Sequence, residues 1–190
     1  MFLRRTLVVL TTVITFVLGA AHPALADSDT NNYVQSDNSS PAQQMAKSRV
    51  MVATSGKDVT AENVAYSRSH DCTGCRTLAV AVEAVLVPGT PTTFTPKNVA
   101  VALNERCSSC ATFAAAHQYV VQTGGPRKLS DSAEAKVERI GAQIRAVTNS
   151  GADFPTIDQQ IDDLANQLWA VVNQDITAHG GHPSGTPTKG

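Results

Sequence analysis

Residues 70–87, HDCTGCRTLAVAVEAVLV, decide the predicted fold of this chain. Cys72 and Cys75 lie three positions apart in this stretch and are followed by a nearly uncharged apolar run. The segment from Val80 to Val87 would suit a strand, but the continuous stretch of about 25 residues around it is longer than an ordinary strand. The length therefore predicts a helix that carries both cysteines.

The apolar and cysteine positions of this stretch follow one another in steps of three and four residues, as on one face of an α-helix. Thr60 is a suitable N-cap, and Pro88-Gly89 ends the pattern. We therefore expect an amphipathic helix between these two signals. Its stripe consists of Ala65, Arg68, Cys72, Cys75, Ala79, Val82 and Leu86.

The same pattern recurs 35 residues further along the chain. Asn63-Val64-Ala65 matches Asn98-Val99-Ala100, and Cys107 and Cys110 form the second CxxC motif. Nine of the 25 aligned positions are identical. Because only two copies are visible, the repeat predicts a doubled helical element rather than a solenoid.

Two further amphipathic helices follow the repeat. A short joint, Asn149-Ser150-Gly151, separates them and makes them antiparallel neighbours. The first begins at Ser130 or Ser132, and the second follows Pro155. Their stripes consist of Ala133, Val137, Ile140, Ile144 and Val147, and of Ile157, Ile161, Leu164, Leu168 and Val171.

The sequence thus predicts an all-α domain over residues 58–177 that resembles a four-helix bundle. It consists of an antiparallel helical hairpin with the duplicated CxxC motif and a second helical hairpin. Residues 27–57 are rich in Ser, Asn, Asp and Gln, so we expect them to be disordered or weakly structured. The Gly- and Pro-rich residues 178–190 predict a disordered tail.

Residues 1–26 have the layout of a secretory signal peptide. Arg4 and Arg5 precede an apolar stretch, and the small residues Ala24-Leu25-Ala26 offer a cleavage site. The apolar stretch is shorter than the roughly 20 residues that cross a bilayer, although an uncleaved anchor is the weaker alternative. We therefore expect a secreted or extracytoplasmic protein with no stable membrane span after cleavage.

The charge of the remaining chain argues against nucleic acid as a partner. Residues 27–190 keep 13 of the 15 Lys and Arg and all 16 Asp and Glu, which gives a formal charge of −3. A phosphate-binding surface needs clustered Lys and Arg, and the sequence contains no such cluster.

The four cysteines predict two disulfides between the copies. If the first two helices run antiparallel about a loop centred near residue 91, Cys72 faces Cys110 and Cys75 faces Cys107. An even number of cysteines in an exported chain favours disulfides over thiols. The link from Cys72 to Cys110 would contribute about 3 to 4 kcal/mol by the loop-entropy relation.

Two alternatives remain open for the same cysteines. Four thiolates in a CxxC…CxxC arrangement are typical of a zinc site and also suit copper(I), and His70 or His117 could complete a mixed site. The tetrapeptide that begins at Cys72 could instead exchange thiols and disulfides. Ser69-His70-Asp71 has the residue types of a hydrolase triad, but helical neighbours do not converge. We therefore predict no catalytic residue and no cofactor, with zinc or copper as the alternative.

The doubled pattern NVAxxxxxxCxxCxTxAxA, followed by GGPRKLS and two amphipathic helices, resembles a set of exported actinobacterial proteins. Some of them carry the automatic label of putative peptide zinc metalloprotease protein, but this chain lacks an HExxH motif. The resemblance implies no established activity.

We therefore expect a secreted, disulfide-stabilised helical protein with a non-enzymatic structural or interaction role. Its partner would be an unknown protein or a cell-surface component. An extracytoplasmic metal-binding protein that uses the four cysteines is the first alternative. A thiol–disulfide oxidoreductase is the second.

Overall fold

A computed structural model describes residues 30–125 and 128–190 of the chain. Within these residues, nine strands form three sheets, and only two helices are present. The prediction of an all-α, four-helix-bundle-like fold is therefore wrong. The predicted signal peptide, residues 1–26, lies outside the described residues.

The strands alternate between the sheets in chain order, and the two helices follow the eighth strand. The elements are β1 (Asn32–Asn38), β2 (Gln44–Thr54), β3 (Asp58–Val59), β4 (Glu62–His70), β5 (Arg76–Val87), β6 (Thr93–Phe94), β7 (Lys97–Glu105), β8 (Ala111–Gln122), α1 (Asp131–Thr148), α2 (Phe154–Ala178) and β9 (Pro187–Lys189).

The chain winds as a parallel β-solenoid of three rungs. The front sheet has the order β1-β4-β7, the back sheet has the order β2-β5-β8-β9, and β3 pairs with β6. Each rung thus adds one long strand to the front sheet and one to the back sheet. Only β9 is antiparallel to its neighbour, β8. The expectation of a doubled element instead of a solenoid is wrong, because residues 30–57 form a first rung.

Residues 35 positions apart pair directly in the second and third rungs. Asn63 pairs with Asn98 in the front sheet, and Thr77 pairs with Thr112 in the back sheet. Equivalent side chains of the two sequence copies are therefore stacked on each other. The first rung pairs with an offset of 31 residues in the front sheet, where Asn32 pairs with Asn63.

An asparagine ladder connects the three rungs. The Asn32 amide donates to Asn63 Oδ1 at 2.9 Å, and the Asn63 amide donates to Asn98 Oδ1 at 2.8 Å. Asn63 Nδ2 also lies within hydrogen-bonding distance of the backbone oxygens of Ala81 and His117. Stacked asparagines satisfy most of one another's buried amide groups, and among the described residues Asn32 Oδ1, at the end of the ladder, has no partner.

The two faces of β5 line different layers. Alternate residues point to opposite sides of a strand. One face packs against α1 and α2 in what we call the helix layer, which includes Leu78, Val80, Val82, Ile161 and Leu168. The other face meets the front sheet in the inter-sheet layer, whose buried apolar residues are Val34, Ala65, Ala79, Ala81 and Ala116.

The two predicted C-terminal helices are confirmed. Ser130 caps α1 by accepting a hydrogen bond from the Ala133 amide, and Asp153 caps α2 through the Thr156 amide. The Asp153 hydrogen bonds lower the pKa of its carboxyl below its ordinary value. Both helices cover the back sheet. Neither described helix combines the length and the apolar character needed to cross a membrane.

The two ends that were expected to lack order contain strands. Residues 30–57 include β1 and β2, and residues 178–190 include β9. The last strand pairs with β8 between His117 and Tyr119. Backbone pairing with an existing sheet therefore orders these segments, and in the first rung apolar residues such as Val34 and Val50 also pack against the core.

Candidate functional site

The four cysteines lie on two stacked turns that join the front sheet to the back sheet. Cys72 and Cys75 lie between β4 and β5, and Cys107 and Cys110 lie between β7 and β8. A parallel bridge between Thr73 and Ser108 holds the two turns together. The cysteines are therefore on tight turns and not within helices, contrary to the prediction.

Both turns use the left-handed backbone region at equivalent positions. Asp71 and Arg106 have φ angles of 50° and 47°, and Gly74 and Ser109 have φ angles of 67° and 55°. The corresponding turn of the first rung has Ala42 at φ 55° and contains no cysteine. Residues other than glycine adopt this region only where neighbouring structure holds them. The stack therefore holds the second and third turns in the same shape, whereas the first turn is one residue shorter and shares only the left-handed position equivalent to Gly74.

The sulfur atoms are bonded within each tetrapeptide. The distance from Cys72 Sγ to Cys75 Sγ is 2.06 Å, and that from Cys107 Sγ to Cys110 Sγ is 1.98 Å. The predicted cross-links, Cys72 to Cys110 and Cys75 to Cys107, are not formed. The pairing rule assumed antiparallel helices, whereas parallel stacking places Cys72 beside Cys107.

All four sulfurs nevertheless form one cluster. Cys72 Sγ lies 3.3 Å from Cys107 Sγ and 3.6 Å from Cys110 Sγ. The four Sγ atoms all lie within 4.8 Å of one another. Cys72 and Cys75 are 7% and 1% exposed, whereas the other two are only partly buried. The cluster therefore has a closed inner side and an accessible outer side.

The two histidines proposed for a mixed site do not join this cluster. His70 places its two ring nitrogens 2.9 Å from Asp37 and 3.0 Å from Asp71. His117 lies on β8, with its Nε2 atom 3.4 Å from Asp162 Oδ1. In the described part of the chain, the four-cysteine group is the one set that could hold a metal ion.

The arginines near the cysteines are engaged elsewhere. Arg106 donates to the Asp71 carboxylate at 2.5 and 2.8 Å, which holds the pKa of that carboxyl well below its usual range, with a further contribution from His70. Arg76 donates to the Ala152 carbonyl and lies over the Phe154 ring. Neither guanidinium is positioned as the cation that would favour a reactive thiolate.

The turn could have been found in the sequence. Small and polar residues lie between the cysteines in both motifs, Thr73-Gly74 and Ser108-Ser109, and such residues are typical of turns. A turn at each motif interrupts the helical period and divides the long stretch into two strands, which for the first motif are β4 with 9 residues and β5 with 12.

Comparison with protein-family models, with curated proteins and with solved structures found no match for this chain. The resemblance to exported actinobacterial proteins therefore stays a prediction. A function has to be argued from the geometry of the four-cysteine cluster and from the surfaces around it.

Proposed function

We propose that this is an exported protein that binds a soft metal ion, zinc or copper(I), through the reduced thiolates of Cys72, Cys75, Cys107 and Cys110. The two disulfides are then its oxidised, metal-free form. The observation that supports this proposal best is the convergence of four sulfurs from two rungs within 4.8 Å of one another. Thiolates are the ligands that such ions prefer.

The distances between the rungs suit tetrahedral coordination. A zinc ion with four sulfurs at about 2.3 Å separates each pair of sulfurs by about 3.8 Å. The Cys72 sulfur lies 3.3 and 3.6 Å from the sulfurs of Cys107 and Cys110. Reduction would let the two bonded pairs open toward the same separation. Small movements of the cysteine side chains would therefore bring the four sulfurs to the separations of a tetrahedral site.

The location of the cysteines supports the same proposal. Structural zinc sites commonly take pairs of cysteines from tight turns, and both CxxC motifs lie on turns between strands. Parallel in-register stacking places these turns side by side. The ligand set is thus assembled by the backbone before any metal binds.

The disulfide-bonded and the metal-bound states of the cluster would stabilise the fold by different amounts. Each disulfide closes a loop of only four residues, so the loop-entropy relation gives about 2 kcal/mol for each. Neither bond connects one rung to the other. A metal ion held by all four sulfurs would join the second rung to the third, and its binding free energy would stabilise the fold.

The test is metal binding by the full chain after anaerobic reduction with a phosphine and removal of the reductant. Cobalt(II) serves as the probe for zinc, because thiolate coordination produces charge-transfer absorption in the near ultraviolet. We expect one ion per chain, displacement by zinc and a rise in melting temperature. Copper(I) is titrated separately against a chelator.

A double variant, Cys107→Ser with Cys110→Ser, should lose this absorption and the gain in melting temperature. Ser108→Ala in the same turn is the matched control and should behave as the wild type, because this side chain is exposed and lies outside the ligand set. Fully reduced protein that showed no thiolate absorption with a stoichiometric amount of cobalt would refute the proposal.

A secreted module stabilised by the two disulfides, without any metal, is the second candidate. The bonded sulfurs within each CxxC support it. This candidate expects no free thiol in exported protein and no metal affinity after reduction. The same titration therefore separates the two candidates.

A further inference from the structure

The N-terminal end of the solenoid is an open groove. In the part of the chain that the structure describes, β1 and β2 each pair with a neighbour on one side only. The groove has a volume of about 570 Å³, which is within the range of peptide- and ligand-binding clefts. Its lining includes Tyr33, Gln35, Lys47, Arg49, Arg145 and Asn149.

At the opposite end, the chain itself covers part of the edge of the back sheet. The strand β9 adds to the edge of β8, and the Thr188 carbonyl accepts a hydrogen bond from the last asparagine of the ladder, Asn98. Lys189 Nζ lies 2.9 Å from carboxylate oxygens of both Asp158 and Asp162 on α2. The molecule thus caps one end with an added strand whose cation meets acidic groups of a helix.

The open end carries positively charged side chains, in contrast to the acidic helix residues at the other end. Lys47 and Arg49 pair with Ala79 and Ala81 and therefore lie on the face of β2 that points toward the front sheet. Both side chains are exposed. Arg145, on the last turn of α1, lines the same groove. None of these three cations has an ion pair within residues 30–125 and 128–190. An added strand with acidic side chains would therefore pair with these cations, as Lys189 of the added strand β9 pairs with acidic residues of α2 at the other end.

We propose that the open edge of β2 binds an acidic peptide segment of a partner protein in an extended conformation, as an added strand. Main-chain hydrogen bonds would supply affinity, and contacts with Lys47 and Arg49, on the face of β2 that points toward the front sheet, would select acidic side chains at alternate positions. A second copy of this chain fits less well, since two open ends would bring like charges together. At the other end, β9 already pairs with β8 between His117 and Tyr119.

Charged residues at a sheet edge also prevent unwanted pairing, so the test must distinguish protection from binding. The probe is a fluorescent hexapeptide of alternating Asp and Val, measured by anisotropy with the full chain. Two matched peptides serve as controls: one with Lys in place of Asp, and one acidic peptide methylated at alternate backbone nitrogens. The methylated peptide keeps the charge but cannot pair as a strand.

We expect the acidic peptide to bind, the Lys peptide not to bind, and methylation to weaken binding at least tenfold. Lys47→Glu and Arg49→Glu should each raise the Kd about fivefold, as expected for loss of an exposed ion pair and added repulsion. Arg139→Glu, elsewhere on α1, is the matched control and should change the Kd less than twofold.

Three results would overturn the proposal: no binding of the acidic peptide, equal binding of its methylated form, or an equal effect of Arg139→Glu. The last two would indicate attraction to any polyanion. Circular dichroism and melting curves of each variant show whether the fold is intact. The groove is independent of the cysteines, so this outcome does not depend on metal binding.

Discussion

The two faces of β5 show two different ways to build a core. In the helix layer, Leu78, Val80 and Val82 pack against large aliphatic residues of α1 and α2. In the inter-sheet layer, Ala79 and Ala81 let the front sheet approach closely, and the asparagine ladder supplies hydrogen bonds. The helix layer therefore depends on filled volume, whereas the inter-sheet layer depends on small side chains and on register.

The largest expected effect is the loss of volume in the helix layer. Leu168 on α2 is fully buried, so Leu168→Ala removes a large apolar group and leaves a cavity. We expect the free energy of unfolding to fall by about 4 kcal/mol, as for other core Leu→Ala changes. Urea denaturation of the variant and the wild type measures this loss of unfolding free energy. Gln167→Ala, at an exposed neighbouring position, should cost less than about 0.5 kcal/mol.

The inter-sheet layer should instead be sensitive to added volume. Ala81→Leu inserts three carbon atoms where the front and back sheets are in contact, and we expect it to cost about 3 kcal/mol. Ala170→Leu on the exposed side of α2 is the matched change and should be nearly neutral. If the two variants unfold at the same denaturant concentration, the idea of close approach between the sheets is wrong.

The ladder should contribute less than either core. Asn63→Ala removes one of the two acceptors of the Asn32 amide, which keeps only the Val82 carbonyl, and it removes the donor to Asn98, so we expect a loss of about 2 kcal/mol. Hydrogen exchange of the β1 amides should accelerate at the same time. Asn104→Ala, at an exposed position of β7, provides the control. Unchanged exchange in β1 would contradict a ladder that orders the first rung.

The smallest effect concerns pH, at the point where β9 meets β8. Burial lowers the pKa of His117 below its ordinary value of 6.5; Lys189 adds to this shift, whereas Asp162 and Asp158 oppose it. As the pH falls through 6.5, the unfolded chain therefore binds a proton that the folded chain does not, and stability is lost.

His117→Gln removes this titrating group. Between about pH 7.5 and about pH 5.5, the melting temperature of the wild type should fall more steeply than that of His117→Gln. Both proteins are measured in the same buffers, so titration of the other histidines is common to both. Parallel curves would show that titration of His117 does not contribute to the pH dependence of stability.

The sequence predicts the two helices because each has one exposed and one buried face. Ile161 and Leu168 recur at helical spacing between solvated residues, and Ser130 and Asp153 provide caps. The strand β5 has no exposed face. Its two layers bury all but one of its residues, so a period of two cannot be seen in its hydrophobicity. The length of the apolar stretch indicates a helix only if the turn at the CxxC motif is overlooked.

The cysteine cluster could be predicted in part. Four sulfurs do lie in one cluster, as the metal alternative requires, but they come from two successive rungs of a parallel stack. The expected partners, Cys72 with Cys110 and Cys75 with Cys107, required antiparallel segments. The first rung was missed because it lacks cysteines and pairs at offsets of 31 and 32 residues instead of 35.

The turn of the first rung has a consequence for engineering. Gln44 pairs with Arg76, so Ser40 and Gln43 correspond to Cys72 and Cys75, on a backbone that already has the left-handed residue in place. Neighbouring strands are about 4.8 Å apart, and the solenoid repeats its side chains at that interval. Introducing cysteines at these two positions would extend the row of sulfurs to six, which two four-coordinate ions could share if two of the thiolates bridged them. Further donor groups could therefore be added to the solenoid one rung at a time, at a fixed spacing.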